Sequence, residues 1–329
     1  MKIAITGSTG FLGIHLCKRL IKEGHSVVGI GRNEEIGEKL NQFGVNFINA
    51  DLTSSIKIHG AIKDVDQVIH SGALSSPWGK RKDFYDTNVN GTKNVINACI
   101  KNNVKRIIHV STPSVYFNFK DRYNIKETDP VASDPPSQYT KTKLEAEHIV
   151  MEAAQTGLEV IILRPRGLFG PGDTAIIPRL LKAKEKGKLP IIGNGNNIVD
   201  LTYIDNAVEA VYKSVIANKD ATGQIYNITN GEPVKLWDFI NKLFIKSGKS
   251  PIENKVSFSA VYAFASLSEI IHRTILTKKE PTLTRYTAGL LAKSQTLNID
   301  KAKEKLNYKP IVSLEAGLNK VIEEIKNGN

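Results

Sequence analysis

The sequence predicts an α/β protein: a doubly wound parallel sheet with a smaller, mainly helical C-terminal lobe. Three observations predict it. Short β-branched runs alternate with helical patterns through the first half of the chain. Those runs are apolar without alternation, and a glycine-rich turn joins the first run to the first helix. Strands with no polar face are covered on both sides, and repeated right-handed crossovers wind helices over both faces.

Each element has its own warrant. "KIAIT" opens the chain as a strand, and "GFLGIHLCKRLIKEG" follows as a helix. "SVVGIG", "VNFINAD", "QVIHSG", "KRIIHVST" and "EVIILRP" read as five more strands. "YDTNVNGTKNVINACIKNN" and "SQYTKTKLEAEHIVMEAAQTG" repeat apolar residues at helical spacing. Past Pro165 the composition changes: Gly, Pro and Asn cluster in "RPRGLFGPGD" and "PIIGNGNN" around a helix in "TAIIPRLLKAKEKGK". The expected division is a sheet domain over 1–164 and a second lobe over 165–329. One strand near 222–229, "GQIYNIT", returns to the main sheet. The lobe should lean over the carboxyl edge of that sheet.

Bulk properties narrow the function. At 329 residues and 41% hydrophobic, the chain suits a globular enzyme-sized fold and not a disordered one. The net charge is +12, but the lysines are spread, with no long basic run and no interleaved aromatics. Nucleic acid is therefore not expected; a basic surface that attracts an anionic small molecule, or equally one that merely keeps the protein soluble, is the better match. The N-terminus lacks a basic segment followed by an apolar one, so no export signal is expected. Cys17 and Cys99 have no partner at metal spacing, which suits a reduced, cytoplasmic protein. The seven histidines show no metal spacing either, so no metal is expected; His70 and His109 read as satisfied core residues on strands.

"TGSTGFLG" places Gly7, Gly10 and Gly13 between the first strand and the first helix. Gly7 makes the tight turn, Gly10 lets a pyrophosphate approach the backbone, and Gly13 lets helix and strand pack closely. Thr9, Phe11 and Leu12 complete a cradle at a helix N-terminus, where free N–H groups meet an anion. At the end of the second strand Gly31 stands where a ribose-binding carboxylate belongs, and Arg32 follows. A guanidinium suits a 2′-phosphate. NADP(H) is therefore favoured as cofactor, with NAD(H) the alternative. Asp51 and Leu52 would meet the adenine edge, and Ser71, Gly72 and Ala73 would pass the cofactor with their backbone.

Tyr139 and Lys143 lie four residues apart on one helix face. A phenol has a pKa of about 10. A neighbouring ammonium is expected to lower it and make the hydroxyl a usable proton donor or acceptor. Ser111, Thr112 and Ser114 offer hydroxyls at the end of the fifth strand to hold a carbonyl oxygen.

With these motifs assembled, the chain resembles an extended short-chain dehydrogenase/reductase over nearly its whole length, from "TGSTGFLG" to "LNIDKAKEKLNYKP". The resemblance implies a Rossmann domain and a catalytic trio of Thr112, Tyr139 and Lys143. Lys143 would also bind the nicotinamide ribose. It further implies that Asn88 supports the site, that Pro165 lies against the nicotinamide, and that helices around Val89–Cys99 and Tyr139–Met151 pair in a homodimer.

Departures from the family pattern indicate the branch. Pro113 and Ser114 follow Thr112 where sugar dehydratases carry Asp-Glu. Gly167, Val199 and "LAKSQTLNID" stand where nucleotide-sugar enzymes place diphosphate-binding groups. The second lobe instead carries an apolar helix near 256–276, with Phe258, Val261, Phe264, Leu267 and Ile271 at helical spacing. That stripe is either core or an apolar entrance, and Glu269, His272 and Arg273 interrupt it too soon for a membrane span. The pattern is closest to the branch of 3β-hydroxysteroid and sterol-carboxylate dehydrogenases and 3-oxoalkanoate reductases. The expected activity is NAD(P)(H)-dependent interconversion of a ketone and a secondary alcohol on a hydrophobic small-molecule substrate. A nucleotide-sugar epimerase or dehydratase with bound NAD is the alternative.

Overall fold

Seven apolar runs pair in parallel in the computed structural model, which describes residues 1–187, 189–275 and 279–328. The strands are β1 (Lys2–Thr6), β2 (Ser26–Gly31), β3 (Asn46–Asn49), β4 (Gln67–His70), β5 (Arg106–Val110), β6 (Glu159–Pro165) and β7 (Gln224–Ile228). Their order is β7-β6-β5-β4-β1-β2-β3. From β1 the chain moves first to β2 and β3 on one side, then to β4 and beyond on the other. Such a reversal opens a crevice at the carboxyl ends of the strands.

Helices that frame the site are α1 (Phe11–Lys22), α2 (Glu34–Gln42), α3 (Gly91–Lys101), α4 (Gln138–Ala153), α5 (Ile204–Val215), α6 (Phe258–Thr274) and α7 (Arg285–Ala292); six further α-helices and several single turns complete the described residues. Alternate residues of one strand feed opposite cores, as the strand period requires. Ile3 and Ile5 join Leu16 of α1 and Val211 of α5, whereas Ala4 joins Val95 of α3 and Val150 of α4. Sheet and helices thus make a three-layer sandwich.

Two buried ion pairs fix elements that carry the site. Arg164 of β6 donates through Nε to Glu147 of α4 at 2.8 Å, and its other nitrogens reach Glu147 and the Tyr116 hydroxyl. Arg106 of β5 holds Glu159 and also donates to the carbonyls of Ser214, Val215 and Ala217 at the end of α5. Just before α3, Tyr85–Asn90 form one π-helical turn. That geometry is rare and recurs at functional sites; here it carries Asn88.

The second lobe is not purely helical. A small sheet orders Val234–Lys235, Ile198–Val199, Gln295–Leu297 and Arg122–Ile125. Its last strand comes from the segment between β5 and α4, so the two halves of the chain are stitched together. The apolar stripe of α6 divides. Phe258 and Val261 pack on the lobe's core around Trp237 and Phe244, while Phe264 and Leu267 are 63% and 60% exposed and Ile271 also faces out. A wholly buried stripe is therefore ruled out; Leu276, at the end of the expected range, lies outside the described residues. No described helix is long and apolar enough to cross a membrane.

Candidate active site

The glycine turn is closed by contact. Gly7 sits at φ +73°, and a Cβ on it would lie 2.7 Å from Gly72 Cα. A Cβ on Gly13 would lie 2.1 Å from the Gly7 carbonyl oxygen. Gly10 caps α1 without a side-chain hydrogen bond, so the first-turn N–H groups of Phe11, Leu12 and Gly13 meet no competing side-chain cap. A dinucleotide's diphosphate fits this cradle, because free donors converge where the backbone leaves room.

The neighbouring strand ends line up beside it. Ser71 Oγ donates to Thr6 O at 2.8 Å, Gly72 N donates to Thr6 Oγ1 at 3.3 Å, and Ala73 follows half-buried. Leu52 packs against Gly72 and Gly91. Arg32 stands 71% exposed with Nη1 3.4 Å from Asp51 Oδ2, and Asp51 also accepts from Thr53 N and Oγ1. Thr9 Oγ1 lies 2.7 Å from where a Gly31 Cβ would be, so an acidic side chain at 31 would have to displace it. Gly7, Thr9, Gly10, Arg32, Asp51, Leu52, Ser71 and Gly72 thus gather along one crevice. Pro165, the last residue of β6, closes the strand opposite Ile228 of β7.

Hydroxyls gather at the carboxyl end of β5. Thr112 caps the short turn Pro113–Tyr116 by accepting from Ser114 N. Ser137 caps α4 in the same way, which sets Tyr139 in its first turn. Thr112 lies near enough to the Tyr139 hydroxyl to favour its ionised form. Thr112 Oγ1 donates to Ser114 Oγ at 3.0 Å, and Ser114 Oγ pairs with the Tyr286 hydroxyl of α7 at 2.6 Å. Ser111 Oγ is buried with no partner. Asn88 accepts from Leu74 N at 2.7 Å and donates to Leu74 O and Thr142 Oγ1, tying the segment after Ala73 to α4.

Lys143 is buried, and its Nζ donates to Val110 O at 2.7 Å and faces His109 Nε2 at 3.1 Å. Burial lowers its pKa to about 8. The expectation that this ammonium lowers the Tyr139 pKa is not met in the free protein. Burial first, then Tyr286, push the phenol up; the neighbouring Thr112 side chain pulls it down; Lys143 is not among the groups acting on it. The ammonium is engaged by β5 instead. A phenol held above its ordinary range keeps its proton, the form a proton donor needs.

His109 also departs from expectation. His70 is satisfied by Thr6 and Thr92, but His109 leaves Nδ1 without a partner and turns Nε2 to Lys143. Sequence reasoning did not find Tyr286 either. Its only signal was a buried-type aromatic at the start of a helix far from the motifs.

The family model described as "NAD dependent epimerase/dehydratase family" matches residues 3–229. The chain belongs to that family. Among relatives within reach of it, the 2-alkyl-3-oxoalkanoate reductase of Stenotrophomonas maltophilia (strain K279a) is 34% identical over 326 residues, covering 98% of each protein. Sterol-4-alpha-carboxylate 3-dehydrogenase, decarboxylating, of Mus musculus is 30% identical over 331 residues, 98% of this chain and 90% of that one. Among solved structures, UDP-glucuronic acid 4-epimerase from Bacillus cereus, in complex with NAD, superimposes with a TM-score of 0.78 at 27% identity over 99% of both chains. The family and its reductase and dehydrogenase relatives make the protein an NAD(P)-dependent oxidoreductase.

Proposed function

We propose that the protein interconverts a ketone and a secondary alcohol on a hydrophobic substrate, with Thr112, Tyr139 and Lys143 as its working trio and NADP(H) as the preferred cofactor. One observation carries this reading: Tyr139 stands near Thr112 and one helical turn from the buried Lys143, at the strand ends above an uncapped glycine turn. The bound nicotinamide supplies or accepts the hydride. In reduction Tyr139 gives its proton to the carbonyl oxygen, so the carbonyl gains a hydride and a proton and becomes an alcohol. Thr112 steadies that oxygen as charge develops on it. Lys143 holds the ribose, and Asn88 positions α4. Arg32 favours NADP(H) because it stands mostly exposed just past β2, only loosely paired with Asp51. Substrate hydrophobicity is supported by the exposed Phe264 and Leu267 of α6 and by the activities for which the relatives above are named. Cys17 and Cys99 are free and buried, which suits a reducing cytoplasm. A homodimer through α3 and α4 is part of the same reading, checked by light scattering.

Tyr139→Phe tests the core of it. Turnover should fall by about 10²- to 10⁴-fold while cofactor affinity holds. Nicotinamide fluorescence during a screen of ketones, hydroxysteroids, 3-oxoacids and nucleotide sugars, with both cofactors, measures this. An unimpaired Phe variant would remove the tyrosine from the mechanism. The likeness to the epimerase structure favours a second reading, a nucleotide-sugar epimerase. Copurifying NAD, with thermal protection by UDP-sugars and not by 3-oxoacids, would select it.

A further inference from the structure

Three arginines are buried among the described residues, and one is unlike the others. Arg106 and Arg164 each grip a glutamate with two nitrogens and spend further donors on carbonyls or a hydroxyl. Arg166 is only 9% exposed, and its side chain makes a single hydrogen bond, from Nε to Gln295 O at 3.2 Å. A guanidinium has five N–H donors. Those on Nη1 and Nη2 find no protein acceptor among the described residues, and no carboxylate forms an ion pair with them there. Nη1 and Nη2 are not sealed from solvent, so the fork of this otherwise buried side chain reaches open space with its donors unspent, where an anion from outside the chain can meet it.

The surroundings of Arg166 point the same way. Asp200, buried nearby, has Oδ2 occupied by Leu297 N at 2.7 Å, while its Oδ1 is unpartnered. Gln295 accepts on its carbonyl from both Arg166 and Asp200 N, and its Oε1 is also without a partner. Gln295 Nε2 reaches Pro113 O, the residue after Thr112. The groups acting electrostatically on Arg166 are Tyr286 and Asp200. Tyr286 is two hydrogen bonds, 2.6 and 3.0 Å, from Thr112 Oγ1. An anion at Arg166 therefore stands a few bonds from the oxygen that Thr112 and Tyr139 would hold.

We propose that Arg166 is the anion anchor of the substrate site and binds a carboxylate close to the reacting carbon, as in a 3-oxoacid or 3-hydroxy acid. This rests on the reading of Thr112 and Tyr139 as a ketone site. A planar carboxylate matches the two-pronged fork. A phosphate dianion would bring a second negative charge against Asp200 with only one cation to offset both. The carboxylate would explain how a mostly hydrophobic substrate is held in one register: the fork fixes one end, the hydroxyls fix the ketone, and the alkyl part is left to the lobe.

The test compares a 2-alkyl-3-oxoacid with its methyl ester in wild type, Arg166→Gln and Arg166→Lys. Wild type should prefer the acid. In Arg166→Gln, kcat/KM for the acid should fall about 10- to 100-fold more than for the ester, and Arg166→Lys should recover part of the difference. Equal losses on acid and ester, or an unchanged preference, would overturn the proposal. A binding arm separates it from the ketone reading. Calorimetric titration of the 3-hydroxy acid and its methyl ester needs no turnover. If wild type turns over neither compound, the ketone reading fails; tighter acid binding that Arg166→Gln abolishes would still establish the anchor, and equal affinities would reject it.

Discussion

The proposed nucleotide and substrate ends of the crevice are built differently. At the nucleotide end the chemistry lies in backbone: Gly7 packs so closely on Gly72, and Gly13 on Gly7, that a Cβ on Gly7 or Gly13 has no place, and of the turn's own side chains only Ser8 Oγ is buried without a partner. At the substrate end the chemistry lies in side chains from distant segments, and much of it is unspent: Ser111 Oγ, Asp200 Oδ1, Gln295 Oε1 and the fork of Arg166. One end is specified by shape, so any dinucleotide that fits is held. The other is specified by groups that await a partner, and partner identity is where relatives on one fold diverge.

The first way to break this comparison is to spoil the shape. In Gly13→Ala the new Cβ would meet the Gly7 carbonyl oxygen at 2.1 Å, a backbone atom that cannot rotate away. The turn must open, at a cost of about 1–3 kcal/mol in stability. Cofactor affinity should drop by at least about 100-fold, read by nicotinamide fluorescence, with a lowered Tm. Near-normal binding would mean that the turn yields easily and that the nucleotide end is not shape-limited.

A smaller effect is expected from Arg32→Asp, which changes charge without touching packing. Arg32 is mostly exposed and only loosely paired with Asp51. Reversing its charge should shift the NADP-to-NAD affinity ratio by at least about tenfold toward NAD, about 1.4 kcal/mol. The two dissociation constants, measured side by side, decide it. An unchanged ratio would show that the 2′-position is read elsewhere, and the nucleotide end would then depend on groups not evident in β2.

The same contrast explains what the sequence disclosed. Gly7, Gly10 and Gly13 are contiguous and their roles are backbone roles, so a short window reveals them. Tyr139 and Lys143 share one helix face, and helical periodicity brings them together without tertiary knowledge. Tyr286 is different: its partner Ser114 lies 172 positions away, and only folding brings the two hydroxyls within 2.6 Å. His109 was legible as a buried strand residue, but β-periodicity gives its side of the sheet and not its neighbour, which is Lys143. For α6 the repeat of apolar residues gave a stripe. It did not say that cover ends after Val261 and leaves Phe264 and Leu267 in the open.

Lys143 offers the finest probe, because it sits between the two ends. Its ammonium is buried against Val110 O and His109, and burial lowers its pKa to about 8 from 10.5. An unfolded chain keeps that proton up to about pH 10.4. Between about pH 8 and 10.5 the unfolded state therefore binds more protons, and stability from this group rises with pH through that window. The penalty for burying the charge is fully present below pH 8 and gone above 10.5. Lys143→Met removes the titration. Its Tm relative to wild type should be most favourable near pH 7 and should lose that advantage between pH 8 and 10.5, by about 1.4 kcal/mol per pH unit at most. His109 does not blur the result, since burial and the Lys143 charge hold its pKa well below the usual imidazole range. Parallel Tm profiles for the two proteins would mean that the ammonium is well solvated in the free crevice. The cavity between nucleotide and substrate ends would then be wet, and the orphaned acceptors beyond it would be satisfied by water until a substrate arrives.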